Sequence, residues 1–392
     1  MNVAITGIGG ISAAGRNLEE TLDTLECGRR NGGPVSLFHT VLTYPVFEVK
    51  NIPGKWQRKA MRTLNLALCA VEEAFHDAGF HDDFSGLRVG VCLGTTVASQ
   101  LNDIEFYSTY RSTGTAEMDP VDRFLKGNLS EAVARTMNVH GPAVTVVNAC
   151  SSGADAIGVA LSWLRNGVCD IAIAGGADEL NLVPLCGFGS LGIVSDSLCS
   201  PFDRDRTGLN LGEGAGVLIL ERKEVCSQRG IEPLLYLSGY GSAADAYHLT
   251  APRPDGTGLE AALRKAMAEA NITPQDVCFV NAHGTATRDN DKVEGAVLAR
   301  VFGPGIKFLS TKGFTGHTLG AAGALEVVFT AAALRKGWIP ASIGFVHQDD
   351  EISVTPVTEK TSIHGRFGIS TSLAFGGNNA ALVMACAGNG GS

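Results

Sequence analysis

The chain has 392 residues, 45% hydrophobic and 18% charged, with a net charge of −9 and a mean hydropathy of +0.13. That acidity leaves no basic field for a nucleic acid, and no uninterrupted apolar run approaches the ~18 residues of a membrane span. The composition is that of a compact globular protein able to bury a large core of two domain-sized units.

Apolar strand-like runs alternate with helical patterns from end to end, which points to α/β layers with buried, largely parallel strands. The opening "MNVAITGIGG" reads as a strand and a turn rather than a signal peptide, so the expected location is cytoplasmic. In chain order the pattern predicts a strand at 3–9, a helix over about 57–78, a strand at 88–96 and a helix around 122–137. A strand at 143–150 follows, then a helix to about 165 and strands at 170–179 and 215–222. The second half replays the plan: a strand at 234–243, a helix at 257–270, a strand at 277–287, a helix at 292–301, a strand at 307–317 and a helix at 319–335. "RFGISTS" and "ALVMACA" finish it as two strands across a Gly-rich turn. The order predicts a duplicated α/β unit, with halves at 1–229 and 230–392. Residues 27–56 and 186–214 read as irregular cover for the sheet ends, and the tail "AGNGGS" as disordered.

Ten cysteines lie scattered in apolar segments without a Cys-x-x-Cys pair or a repeated Cys/His spacing, the pattern of reduced, buried side chains. One stands apart. In "VVNACSSGADAIGVALSWL" (146–164) a strand-like run reaches Cys150 and turns without a linker into a helical pattern. A thiolate at a first helical turn gains about 0.3–1 kcal/mol from the unpaired N–H groups and the dipole, up to about 2 when partly buried. A buried cysteine beside an ordinary N-cap would leave the same trace. The second half adds His283, at a strand exit in "VNAHGTATRDND", and Lys312 and His317 in "STKGFTGHTLGAAGALE". Matching strand ends of a duplicated fold converge on one site, which would bring one thiol and two imidazoles together. The remaining histidines (39, 76, 81, 140, 248, 347 and 364) read as satisfied polar residues.

The blocks "NACSSGA", "NAHGTATRDND" and "STKGFTGHTLGAAGALE", with "SPFDRDRTGLNLGEGAG" and "AFGGNNAAL", resemble the elongating β-ketoacyl-acyl-carrier-protein synthases of the thiolase superfamily, over nearly the whole chain. The resemblance implies the five-layered αβαβα thiolase fold and a homodimer with its active sites near the dimer interface. It implies that Cys150 takes an acyl chain from a carrier-protein thioester, and that His283 and His317 promote decarboxylation of malonyl-carrier protein and condensation. The oxyanion donors would be the backbone N–H groups of Cys150 and Phe375. Lys312 and Glu326 would orient and charge-balance His317. Thr285 and Thr287 would hold the phosphopantetheine arm, and Phe375 would gate the pocket. Lys55, Arg58 and Lys59 would form a basic docking patch for the acyl carrier protein. No cofactor is implied, since phosphopantetheine arrives on the substrate.

Two departures stand out: "GTAT" replaces the family's alternating Gly and Thr run after the first histidine, and Asn378 replaces a common threonine. A biosynthetic thiolase would carry a second cysteine in a Cys-x-Gly turn where this chain has "AFGGNN", and a starter-unit synthase an Asn in place of His317. A chain-length partner subunit would lack the nucleophile; a carrier-binding scaffold would require that Cys150 never acylate.

Overall fold

The computed structural model describes residues 3–53, 55, 61–80, 84, 86–96, 104–125 and 128–387. The first half contains β1 (Val3–Ser12), α1 (Leu18–Cys27), α2 (Arg62–Asp77), β2 (Val89–Gly94), α3 (Ile104–Thr113), α4 (Asp119–Leu125), α5 (Leu129–Thr136), β3 (Ala143–Val146), α6 (Ser152–Arg165), β4 (Ile171–Asp178), α7 (Leu182–Ser190), β5 (Gly214–Glu221) and α8 (Lys223–Arg229). The second contains β6 (Leu235–Ala244), α9 (Thr257–Ala270), β7 (Val277–Asn281), α10 (Arg288–Phe302), β8 (Phe308–Leu309), α11 (Lys312–Thr315), α12 (Ala322–Lys336), β9 (Trp338–Ile339), β10 (Thr361–Ser362), β11 (Phe367–Ala374) and β12 (Asn378–Cys386).

Ten strands run in the order β3-β2-β4-β5-β1-β6-β12-β11-β7-β8. The chain of pairings narrows between β1 and β6, which pair only from Val3↔Leu237 to Ile5↔Leu235. On either side of that junction the plan is the same: within its own half, each side runs third strand, second, fourth, fifth, first. The pairing directions also match, with the second strand parallel to the third and fourth, and the fifth antiparallel to the fourth and first. The fold is therefore duplicated, but less parallel than expected. β11 and β12 are joined by the tight turn 375–377, and a connection that short can only return antiparallel.

Three apolar clusters define five layers. One lies between α2, α5 and one face of β1, β2, β4 and β5. The second fills the space around α6 and α12, between the two halves of the strand array. The third packs α9 and α10 on β7, β11 and β12. α12 is buried at every position from Ala322 to Leu334, as a helix enclosed by sheets must be. Small residues let it approach α6 closely: a Cβ on Gly153 would stand 2.9 Å from the Ala324 Cβ.

Local chemistry explains where the elements differ from the sequence pattern. The single helix expected at 122–137 is two helices, because Asn128 stops the pattern and its side chain accepts the Glu131 N–H as the cap of α5. α1 lies outside every predicted element; Asn17 caps its start and Gly28, left-handed at φ 64°, ends it. α7 begins in residues assigned to no element, runs into the stretch expected to be irregular from 186, and is capped by Asn181. The strand expected at 307–317 lasts two residues before the chain enters the single turn of α11. The expected helix start at 57 and most of the expected disordered tail fall outside the described residues.

Candidate active site

β3 ends four residues before Cys150, and the chain between is a braced elbow rather than a helix. Ala149 is left-handed, at φ 48°, a conformation that costs an L-residue about 1–2 kcal/mol. The surrounding hydrogen bonds hold it there. The Ser152 hydroxyl donates to the Ala149 carbonyl (2.6 Å) and accepts the Asn148 N–H (2.8 Å). The buried Asp155 carboxylate receives the Asn148 side-chain amide (2.6 Å), the Ser151 hydroxyl (2.8 Å) and, from the second half, the Tyr240 hydroxyl (2.7 Å). Asp155, which the sequence motif carried without marking, is the keystone of the elbow.

Cys150 is 5% exposed. Burial pushes its thiol up to about 11, while the Lys312 charge and the Phe375 backbone N–H at the sulfur pull the other way. The expected thiolate at a helix start is thus not the resting form. Cys150 stands two residues before α6, and loss of water around the sulfur outweighs a helix-end effect of about 1 kcal/mol.

His283 follows β7. Its backbone N–H and that of Gly284 both donate to the buried Glu294 carboxylate, each at 2.8 Å, and the Thr371 hydroxyl donates to the same group (2.8 Å). The Lys312 ammonium sits 3.0 Å from His283 Nδ1, donates to the His283 carbonyl at 2.6 Å, and forms a buried ion pair with Glu326. Lys312 was expected to orient His317; it touches His283 instead, and acts on His317 only through its charge. His317 is held by backbone: its Nδ1 accepts the Leu319 N–H at 3.1 Å, and its own N–H donates to Asn210 O at 2.7 Å.

These contacts set the tautomers. An ammonium faces Nδ1 of His283 and an amide N–H faces Nδ1 of His317, so in each ring Nδ1 accepts and the proton resides on Nε2. Burial, then the Lys312 charge, holds both imidazoles well below the usual histidine range and hence neutral. The rings meet edge to face, with centroids 5.3 Å apart.

Cys150, His283, His317, Thr285, Thr287 and Phe375 line one cavity of about 400 Å³. The Thr285 and Thr287 hydroxyls are 2.9 Å apart. Phe375 stacks on Phe188 at 5.4 Å, and Phe188 meets His317 at 6.4 Å. Phe188 was missed because α7 was not anticipated, and Glu294 because an acidic residue inside a helix carries no mark of what it will accept. Lys55 lies away from the cavity lining, in an exposed ion pair with Glu72 at 2.6 Å; Arg58 and Lys59 fall outside the described residues.

Residues 1–225 match the family described as beta-ketoacyl synthase, N-terminal domain, and residues 235–346 the corresponding C-terminal domain. The chain is 32% identical over 404 residues to 3-oxoacyl-[acyl-carrier-protein] synthase 2 of Staphylococcus aureus (strain N315), with 97% of each chain covered. Among solved structures it superposes on the ishigamide ketosynthase/chain length factor with a TM-score of 0.91 at 32% identity, covering 99% of both chains. It also superposes on AntDE:AntF, a type II PKS acyl-carrier protein in complex with its ketosynthase, with a TM-score of 0.90 at 26% identity and 99% coverage of both.

Proposed function

Because the chain belongs to the β-ketoacyl synthase family, we propose that Cys150 holds the acyl group while His283 and His317 act on the malonyl group that extends it. The enzyme is a β-ketoacyl-acyl-carrier-protein synthase: it condenses an acyl group with malonyl-acyl-carrier protein in fatty-acid or polyketide synthesis.

In the first half-reaction the Cys150 sulfur attacks the carbonyl of the incoming thioester. The carrier's sulfur leaves as its thiol, taking the proton that Cys150 gives up. With the resting thiol at about 11, that proton has to move as the sulfur attacks. The N–H groups of Cys150 and Phe375 serve as donors to the oxyanion. In the second, the malonyl thioester loses carbon dioxide, and the enolate oxygen is met by the two Nε2–H groups. The resulting carbanion attacks the acyl-cysteine, and Cys150 leaves as the thiolate. Neutral imidazoles suit this role, since they donate to the developing charge without having to be protonated first.

The observation that carries the reading is the pair of imidazoles, each with a donor facing Nδ1, beside the buried thiol in one cavity. Incubation with acyl-carrier protein, followed by mass spectrometry of the Cys150 peptide and then addition of malonyl-carrier protein, tests it. Acylation of Cys150 and release of 3-oxoacyl product are expected; formation of product without acyl-Cys150 refutes it.

The working form is a homodimer in this reading. Support comes from β3, an edge strand with Val144 and, just beyond it, Val147 exposed at 43% and 67%. An unpaired edge carrying exposed valines is a template for a second copy of itself. Sedimentation of the wild type and of Val144→Lys tests this, with a shift to monomer expected in the variant. No helix among the described residues is long and apolar enough to cross a membrane.

A further inference from the structure

The segment from His283 to Arg288 leaves the catalytic centre and climbs out of the cavity. His283 is 2% exposed and Thr285 6%; Thr287 is half-buried and Arg288 exposed, yet all four line the same cavity. The order of chemistries along it is imidazole, hydroxyl, hydroxyl, guanidinium. A phosphopantetheine arm has a matching order from its reactive end: thioester, two amides, phosphodiester. A thioester placed between Cys150 and His283 runs its amides past the threonines and its phosphate toward the mouth.

Arg288 is the only Lys or Arg among the described residues lining the cavity. It contrasts with Arg206 beside it. Arg206 is buried and its charge is consumed, by Asp349 at 2.5 Å and Asp291 at 3.8 Å. Arg206 also donates to the Arg288 backbone carbonyl at 3.0 Å, which anchors the first residue of α10 while leaving its side chain uncommitted. The Arg288 guanidinium makes no ion pair among the described residues. In a chain of net charge −9, a lone arginine at a cavity mouth has chemistry suited to an anion with several acceptor oxygens.

We infer that Arg288 reads the phosphate of the phosphopantetheine arm and so selects substrates that carry it. The inference rests on the ketosynthase reading of the cavity and adds the site where the carrier's arm is recognised as an anion. Asp289 lines the same mouth and offsets the charge at long range. Selection therefore comes from direct contact, which a water-exposed pair gives at about tenfold.

Acyl-pantetheine and acyl-4′-phosphopantetheine, identical but for the phosphate, separate this claim from the one it rests on. Self-acylation of Cys150 is followed by mass spectrometry with each, and the ratio of their kcat/KM values is the readout. The wild type is expected to favour the phosphorylated thioester about tenfold, Arg288→Gln to lose that preference, Arg288→Lys to keep part of it, and Asp289→Asn to increase it. A wild type that acylates from both at equal rates, or an Arg288→Gln variant that keeps the preference, overturns the phosphate site and leaves the ketosynthase reading standing. Failure of the wild type to acylate from either overturns the ketosynthase reading. Because the probes lack carrier protein, a preference seen with them comes from the phosphate and not from acidic side chains of the carrier.

Discussion

β3 and β8 hold the same place in the two halves, each at the outer end of its half, yet they deliver opposite kinds of chemistry. β3 is half-exposed and leads into an elbow held by serine, asparagine and aspartate side chains around a left-handed alanine. β8 is fully buried and leads to Lys312 and His317, held by a buried ion pair and by backbone donors. The half that supplies the nucleophile needs a sharp turn; the half that supplies the donors needs a dry, charge-balanced pocket that keeps imidazoles neutral. One topology serves both because the chemistry lies beyond the strand ends, where the duplicated halves need not match.

The sharpest way to break this comparison is Cys150→Ala, which is expected to abolish acyl transfer while malonyl decarboxylation by the other half continues. Normal condensation by the variant, measured as 3-oxoacyl product, would remove the nucleophile from the elbow. Next, His283→Ala and His317→Ala are each expected to cut decarboxylation by about 10²- to 10³-fold, with self-acylation of Cys150 reduced less. Equal loss in both half-reactions would show that the two regions are not specialised.

Lys312→Met leaves the Glu326 carboxylate buried without its partner, for an expected loss of about 3–5 kcal/mol in urea denaturation. The double variant Lys312→Met, Glu326→Leu is expected to recover much of that. A small effect in the single variant would mean that Glu326, already raised to about 7 by burial, takes up a proton once its partner is lost.

The two regions also titrate in opposite senses. The depressed histidines stay neutral in the folded state while the unfolded chain takes up protons below about 6.5; their contribution is therefore full above that pH and is lost as pH falls below it. The Cys150 thiol, raised from 9.0 to about 11, contributes fully below about 9 and less as pH rises toward 11. Denaturation midpoints from pH 5 to 10 check both signs. Iodoacetamide labelling of Cys150 in the folded enzyme is expected to rise about tenfold per pH unit from 7 to 9; a plateau in that range would indicate a resting thiolate. The smallest effect is expected at Lys55, where Ala removes an exposed pair with Glu72 and changes stability by about 0–1 kcal/mol.

Much of this molecule is written in local pattern. Alternation of apolar runs with helical periodicity identified the α/β class and the repeat, and "NACSSGA", "NAHGT" and "STKGFTGH" marked the thiol, the lysine and both imidazoles. What escaped was set by partners on other elements and loops. Glu294 and Asp155 look like ordinary helix positions until the folded chain brings them under a loop. α7, with Phe188, contains Pro and two Gly in nine residues and so lacks a helical signature.

The sequence alone therefore determined the fold class, the duplication and the identity of the reacting groups, because each is encoded by residues within a turn or two of one another. Only the tertiary structure decided that Lys312 touches His283 and reaches His317 through its charge alone, that a donor faces Nδ1 of both rings, and that Cys150 rests as a thiol. Each of those depends on burial and on charges brought within a few ångströms by segments far apart in the chain, and desolvation is a property of the folded surroundings that no short stretch of sequence contains.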